Sequence, residues 1–104
     1  MSWLVLIASG VLEAVWALAL GRSQGFSRVG PTIVFVVALI ASMSGLALAM
    51  RHLPVGTSYA VWTAIGALLT VTVSMITGQE PVSALRVIFL AMIVGGVMGL
   101  KFFA

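Results

Sequence analysis

The sequence predicts an all-α membrane protein with four spans in a single transmembrane domain over residues 1–104. Composition is the first reason. The 104 residues are 62% hydrophobic and only 7% charged, with a mean hydropathy of +1.29. Soluble domains carry about 25% charged residues, so this chain cannot cover a water-facing surface. The second reason is punctuation. Three clusters of turn residues, GRSQGFSRVGP (Gly21 to Pro31), RHLPVG (Arg51 to Gly56) and TGQEP (Thr77 to Pro81), separate four long apolar runs.

Those runs extend over about 3–20, 32–50, 55–76 and 82–103. Each is close to the ~20 residues a helix needs to cross ~30 Å of hydrocarbon. A chain this short cannot close a barrel, so helices are the way to satisfy its backbone in lipid. In the first run Ala17-Leu18-Ala19 mimics a signal-peptidase site. No Lys or Arg precedes that run and Glu13 lies inside it, so a retained span is expected. The second run contains ASMSGLALA, a stretch of small residues that could leave a wide lateral opening. In the fourth, Ala91, Gly95 and Gly99 repeat at i+4 with Gly96 beside them, a spacing that lets helices approach closely. That helix is the expected contact with another copy.

Charge excludes several functions. The sequence pI of 10.8 rests on five Lys and Arg against two acids. They are too sparse and too scattered for a nucleic-acid stripe. The chain has no cysteine, which removes disulfides, thiolate metal sites and a Cys nucleophile. No nucleophile–base pair or metal cluster is visible, so neither an enzyme nor a cofactor is expected. The cations also leave orientation open. With the N-terminus inside, Arg51 and Lys101 lie inside, and Arg22, Arg28 and Arg86 outside, three against two. The positive-inside rule selects weakly at such a balance. Either one orientation dominates for other reasons, or the chain inserts both ways and pairs with an inverted copy of itself.

Glu13 is the residue that most needs a reason. It lies about ten residues into the first span, ~15 Å deep and near the midplane. A carboxylate there costs at least about 2–3 kcal/mol and marks ion or proton pathways in membrane helices. A protonated Glu bonded to a neighbouring helix is the plainer alternative. No intramembrane Lys or Arg is present to pair with it, and the other acid, Glu80, falls in a loop. The partner cation is therefore expected from solution. Burial disfavours the charged carboxylate, so the group can hold a proton and release it when a cation takes its place. One site with two mutually exclusive occupants is the physical basis of antiport.

The neighbours of Glu13 fit such a site. Gly10 and Ala17 share its helical face and leave space, and Trp16 at i+3 can set its indole beside the carboxylate. In the third span Tyr59, Trp62, Thr63 and Gly66 share a face. Their aromatic bodies with polar handles suit a flat cation. Tyr59, near the start of its span, also fits an interfacial belt residue, as does His52. Ser42 is mid-span in the second helix and could donate to Glu13 or accept from a bound donor. Guanidinium meets a carboxylate in a two-pronged fork and is weakly hydrated, so it suits this set. Four helices are too few to enclose and gate a vestibule, so an oligomer is expected. A dimer would bring two Glu13 carboxylates together as a coupled pair.

These landmarks resemble the small multidrug resistance family over essentially the whole chain. Glu13 in the first helix, GFSRVGP in the first loop, LPVGTSYAVWT leading into the third helix and EP in the third loop all match. EAVW, with Trp16 three after Glu13, resembles the guanidinium exporter subtype; polyaromatic-drug exporters commonly have Gly there. The resemblance implies an antiparallel, dual-topology homodimer in the bacterial inner membrane that exchanges protons for guanidinium. It implies Glu13 as the shared substrate and proton site, with Trp16, Ser42, Tyr59 and Trp62 as its hydrogen-bonding partners, and guanidinylated or alkyl-substituted cations as further substrates. Gly21 stands where Lys is often found and Ala64 where Gly is common; neither touches the core site. The rival readings are a quaternary-ammonium multidrug antiporter, against which Trp16 argues, and a non-transporting partner subunit, whose charge bias would be strong.

Overall fold

The computed structural model describes residues 2–103; Met1 and Ala104 lie outside the described residues. Four α-helices follow one another: α1 Ser2–Arg22, α2 Val29–Ala49, α3 Val55–Ile76 and α4 Ala84–Phe103. At 20 to 22 residues each, they are ~30–33 Å long, enough to cross hydrocarbon. All four are apolar enough to do so.

Local chemistry sets the boundaries. α2 starts at Val29, earlier than the turn composition suggests, because Pro31 falls in its first turn, where a missing N–H costs nothing. Its ladder begins with Thr32 N–H donating to the Arg28 carbonyl at 3.2 Å. α4 starts two residues later than Val82, because the Ser83 hydroxyl caps it by accepting Arg86 N–H at 3.2 Å. Between α1 and α2 the chain turns through three left-handed residues, Gln24, Gly25 and Phe26, at φ 51°, 71° and 70°. Gly25 takes this conformation without strain, whereas Phe26 does not. Fully buried Ser23 holds the turn, its hydroxyl donating to Leu20 O and accepting from Phe26 N–H.

α1 packs against both α2 and α3, whereas α4 packs along α3 and reaches α1 through Lys101, whose ammonium lies 5.9 Å from the centre of the Trp3 ring. Glycines set the closest approaches. A Cβ on Gly10 would lie 2.7 Å from Ile65, one on Gly45 would overlap Ser9, and one on Gly66 would overlap the Glu13 carboxyl. Leu6, Leu46, Ala49, Val61 and Trp62 form the buried core. The molecule is a slab of 42 × 35 × 17 Å, its thin dimension about one and a half helix diameters of ~10–12 Å. One face of α1 and α3 is therefore open to whatever lies against the slab. None of residues 84–102 of α4 is buried, and Cβ atoms on Gly95, Gly96 and Gly99 would meet nothing within 4 Å. The one ion pair among the described residues, Arg86–Glu80 at 3.4 Å, is well exposed and holds the third loop weakly at best.

Candidate functional site

Glu13 sits at the middle of α1, eleven residues after Ser2 and nine before Arg22. Its carboxyl points at α3, where Gly66 has no side chain to exclude it. The carboxyl opens into a cavity of ≈310 Å³ lined by Ala17 on α1 and by Thr63, Gly66, Ala67, Thr70 and Val71 on α3. That size is at the lower end for ligand sites, ~300–1,000 Å³, and suits a small cation. Glu13 Oε1 and Trp16 Nε1 are both buried without a hydrogen-bond partner among the described residues. One is an acceptor and the other a donor, three residues apart on one helix. Buried groups of this kind usually have a partner, so the pair is complementary to a ligand or to each other.

The remaining expected residues form a second group beside the first. Trp62 is buried in the core, and its indole Nε1 donates to Ser42 Oγ at 3.0 Å. Ser42 Oγ donates in turn to the Ser9 carbonyl at 2.7 Å. Ser42 therefore does not donate to Glu13 itself; it grips the turn of α1 that ends at Glu13. Tyr59 is 56% exposed and packs on Trp62 with ring centroids 5.8 Å apart. Trp16 packs edge-on against Phe35 at 6.0 Å, and Phe35 contacts Phe26 of the first loop at 5.6 Å. The face expected along α3 thus divides: Trp62 points into the core, while Thr63 and Gly66 line the cavity.

A family model for small multidrug resistance proteins matches residues 1–93. The chain belongs to the small multidrug resistance family. Among its relatives is a protein named guanidinium exporter from Escherichia coli (strain K12), 48% identical over 101 residues, covering 97% of this chain and 96% of that protein. The guanidinium exporter of Yersinia pseudotuberculosis serotype I (strain IP32953) is 46% identical over 101 residues, covering 97% of both chains. That of Citrobacter freundii is 46% identical over 101 residues, covering 97% of this chain and 96% of its own. A four-span member of this family is a multi-pass membrane protein, as the apolar helices require.

Sequence reasoning on this family member missed Ser9 and Thr70. Ser9 is buried, its own hydroxyl donating to Val5 O at 2.7 Å. Its position four residues before Glu13 was the available signal, since i and i+4 share a face. A larger cleft of ≈400 Å³ lies toward the first loop, lined by Leu18, Ala19, Arg22, Pro31 and Val34 among others. It holds an Arg and no acid, so it repels cations, whereas the smaller cavity holds the Glu13 carboxyl. The Ser42 link gives a stability prediction. Ser42→Ala leaves the buried Trp62 N–H unpaired and is expected to destabilise the fold by about 1–3 kcal/mol. Thermal scanning in detergent by tryptophan emission reads that loss, and Ser42→Thr, which keeps the hydroxyl, should lose less.

Proposed function

We propose that the chain is a proton-coupled antiporter that exports guanidinium across the bacterial inner membrane, working as an antiparallel, dual-topology homodimer. One observation carries this reading: Glu13 Oε1 is buried at mid-span without a partner, no cation pairs with the carboxyl among the described residues, and the group lines a cavity between α1 and α3. A buried carboxyl is stable either protonated or paired with a cation, and unstable bare. Those are the two loaded states of an exchanger. If both switch sides and the bare form does not, proton entry drives cation export.

Glu13 binds the cation and the proton in turn. Trp16 offers its free indole N–H to the carboxylate, and Trp62 with Ser42 fixes the turn beneath it. Tyr59 packs at a tilt against Trp62 with its ring exposed. The guanidinium-exporting relatives support this substrate, with alkyl-substituted guanidinium ions as further candidates. Dimerisation is supported by the bare α4 with its small residues and by a slab too thin to enclose its own site. The three-to-two balance of cations supports insertion both ways.

Solid-supported-membrane electrophysiology on proteoliposomes tests the reading. Guanidinium pulses should evoke saturable currents, and a polyaromatic cation should evoke none. Protons and guanidinium compete for one carboxylate, so acidification should raise the half-saturating guanidinium concentration. The dimer holds two Glu13 carboxyls, so two protons displaced per cation leave a net charge that is read as current, and the rise approaches about tenfold per pH unit for each proton displaced. A half-saturation that is flat from pH 6 to 9 contradicts shared occupancy.

A further inference from the structure

The Glu13 carboxylate can satisfy only part of a guanidinium ion. A fork to a carboxylate engages two parallel N–H groups. The others lose water on entering the membrane and need acceptors there, since an unpaired buried donor costs about 1–3 kcal/mol. Trp16, Trp62 and the backbone N–H groups are donors and cannot serve. Acceptors in the cavity itself are few, because Ala17, Gly66, Ala67 and Val71 offer no polar side-chain atom.

Two hydroxyls remain, Thr63 and Thr70. They flank Gly66 at three residues before and four after, so all three share one face of α3. Gly66 is the point of contact with the carboxyl, which places one hydroxyl about a turn to either side of it. Thr70 Oγ1 donates its only proton to the Gly66 carbonyl at 2.7 Å. Its donor is spent, so the oxygen presents lone pairs alone. An acceptor-only hydroxyl beside a carboxylate is matched to a donor-only cation and poorly matched to an anion or a neutral acceptor.

We propose that Thr70, together with Thr63, is a substrate ligand that accepts the guanidinium N–H groups left unpaired by Glu13. The inference rests on the guanidinium reading above. These threonines then discriminate by donor count: a cation rich in N–H groups gains from them, and a quaternary ammonium ion gains nothing.

The test compares wild type, Thr70→Val, Thr63→Val and Thr70→Ser in proteoliposomes. The readouts are the half-saturating concentration of guanidinium current and inhibition of that current by tetraethylammonium, which has no N–H group. Thr70→Val keeps the shape and removes the oxygen. It should raise the guanidinium half-saturation about tenfold, the loss of one hydrogen bond to a charged donor, and leave tetraethylammonium inhibition unchanged. Thr63→Val should act in the same direction, and Thr70→Ser should behave as wild type. Unchanged guanidinium half-saturation in both valine variants overturns the proposal. So does an equal loss for both cations, or a Thr70→Ser variant as poor as Thr70→Val, since each points to packing of α3 alone. If wild type itself gives no guanidinium current, the guanidinium reading fails instead.

Discussion

Glu13→Gln is expected to abolish guanidinium-evoked current while leaving the protein folded and its assembly as in wild type. Glutamine has nearly the shape of a protonated glutamate, so the contact with Gly66 persists. What disappears is the charge. Truncating one side of a buried, hydrogen-bonded charge pair costs about 2–5 kcal/mol, which weakens guanidinium binding at least about thirtyfold. The variant also has no proton to release, so residual binding cannot be coupled to a proton gradient. Guanidinium pulses on variant and wild-type proteoliposomes of matched protein content measure both effects, and size-exclusion profiles in detergent check the fold. Glu13→Asp keeps the charge on a shorter arm and should retain a weakened, still pH-dependent current.

Gly66→Ala is the second change expected to have a large effect. The new Cβ would occupy the space now held by the end of the Glu13 side chain. That side chain is flexible, so it can swing away at little cost to the fold. The damage falls on geometry. Displacing a binding group by about 1 Å can cost ~10²-fold in activity, and a loss of that order is expected in guanidinium transport. Thermal stability in detergent should change little. Gly21→Ala is the control, because a Cβ there meets nothing within 4 Å and should leave transport intact. Equal transport by Gly66→Ala and Gly21→Ala would show that the carboxyl does not work from its position against α3.

The four spans were legible because hydrocarbon imposes a length and a composition that few other environments impose. Glu13 was legible for the same reason: against an apolar background one acid is conspicuous. Positions within the helices were harder to read. The spans are apolar nearly all round, so periodicity could not tell that Trp62 turns into the core while Thr63 and Gly66 turn to the cavity. Ser42 was recognisable as polar and mid-span, but its partner is a backbone carbonyl at Ser9, and backbone acceptors are the same in every sequence. Thr70 escaped notice because a threonine in a membrane helix commonly bonds its own backbone, as this one does. Its placement beside the carboxyl depends on the register of α1 against α3, which Gly10 and Gly66 set through close packing. The start of α2 ahead of Pro31 and the cap at Ser83 follow local rules that were present in the sequence but masked by the turn residues around them.

Exchange of the two ions is best measured directly, with a pH-sensitive dye sealed inside proteoliposomes and guanidinium added outside. Antiport predicts that guanidinium entry expels protons, so the lumen becomes alkaline in wild type and stays unchanged in Glu13→Gln. Guanidinium uptake with no change of lumenal pH, or with acidification, would contradict a single carboxylate shared by cation and proton.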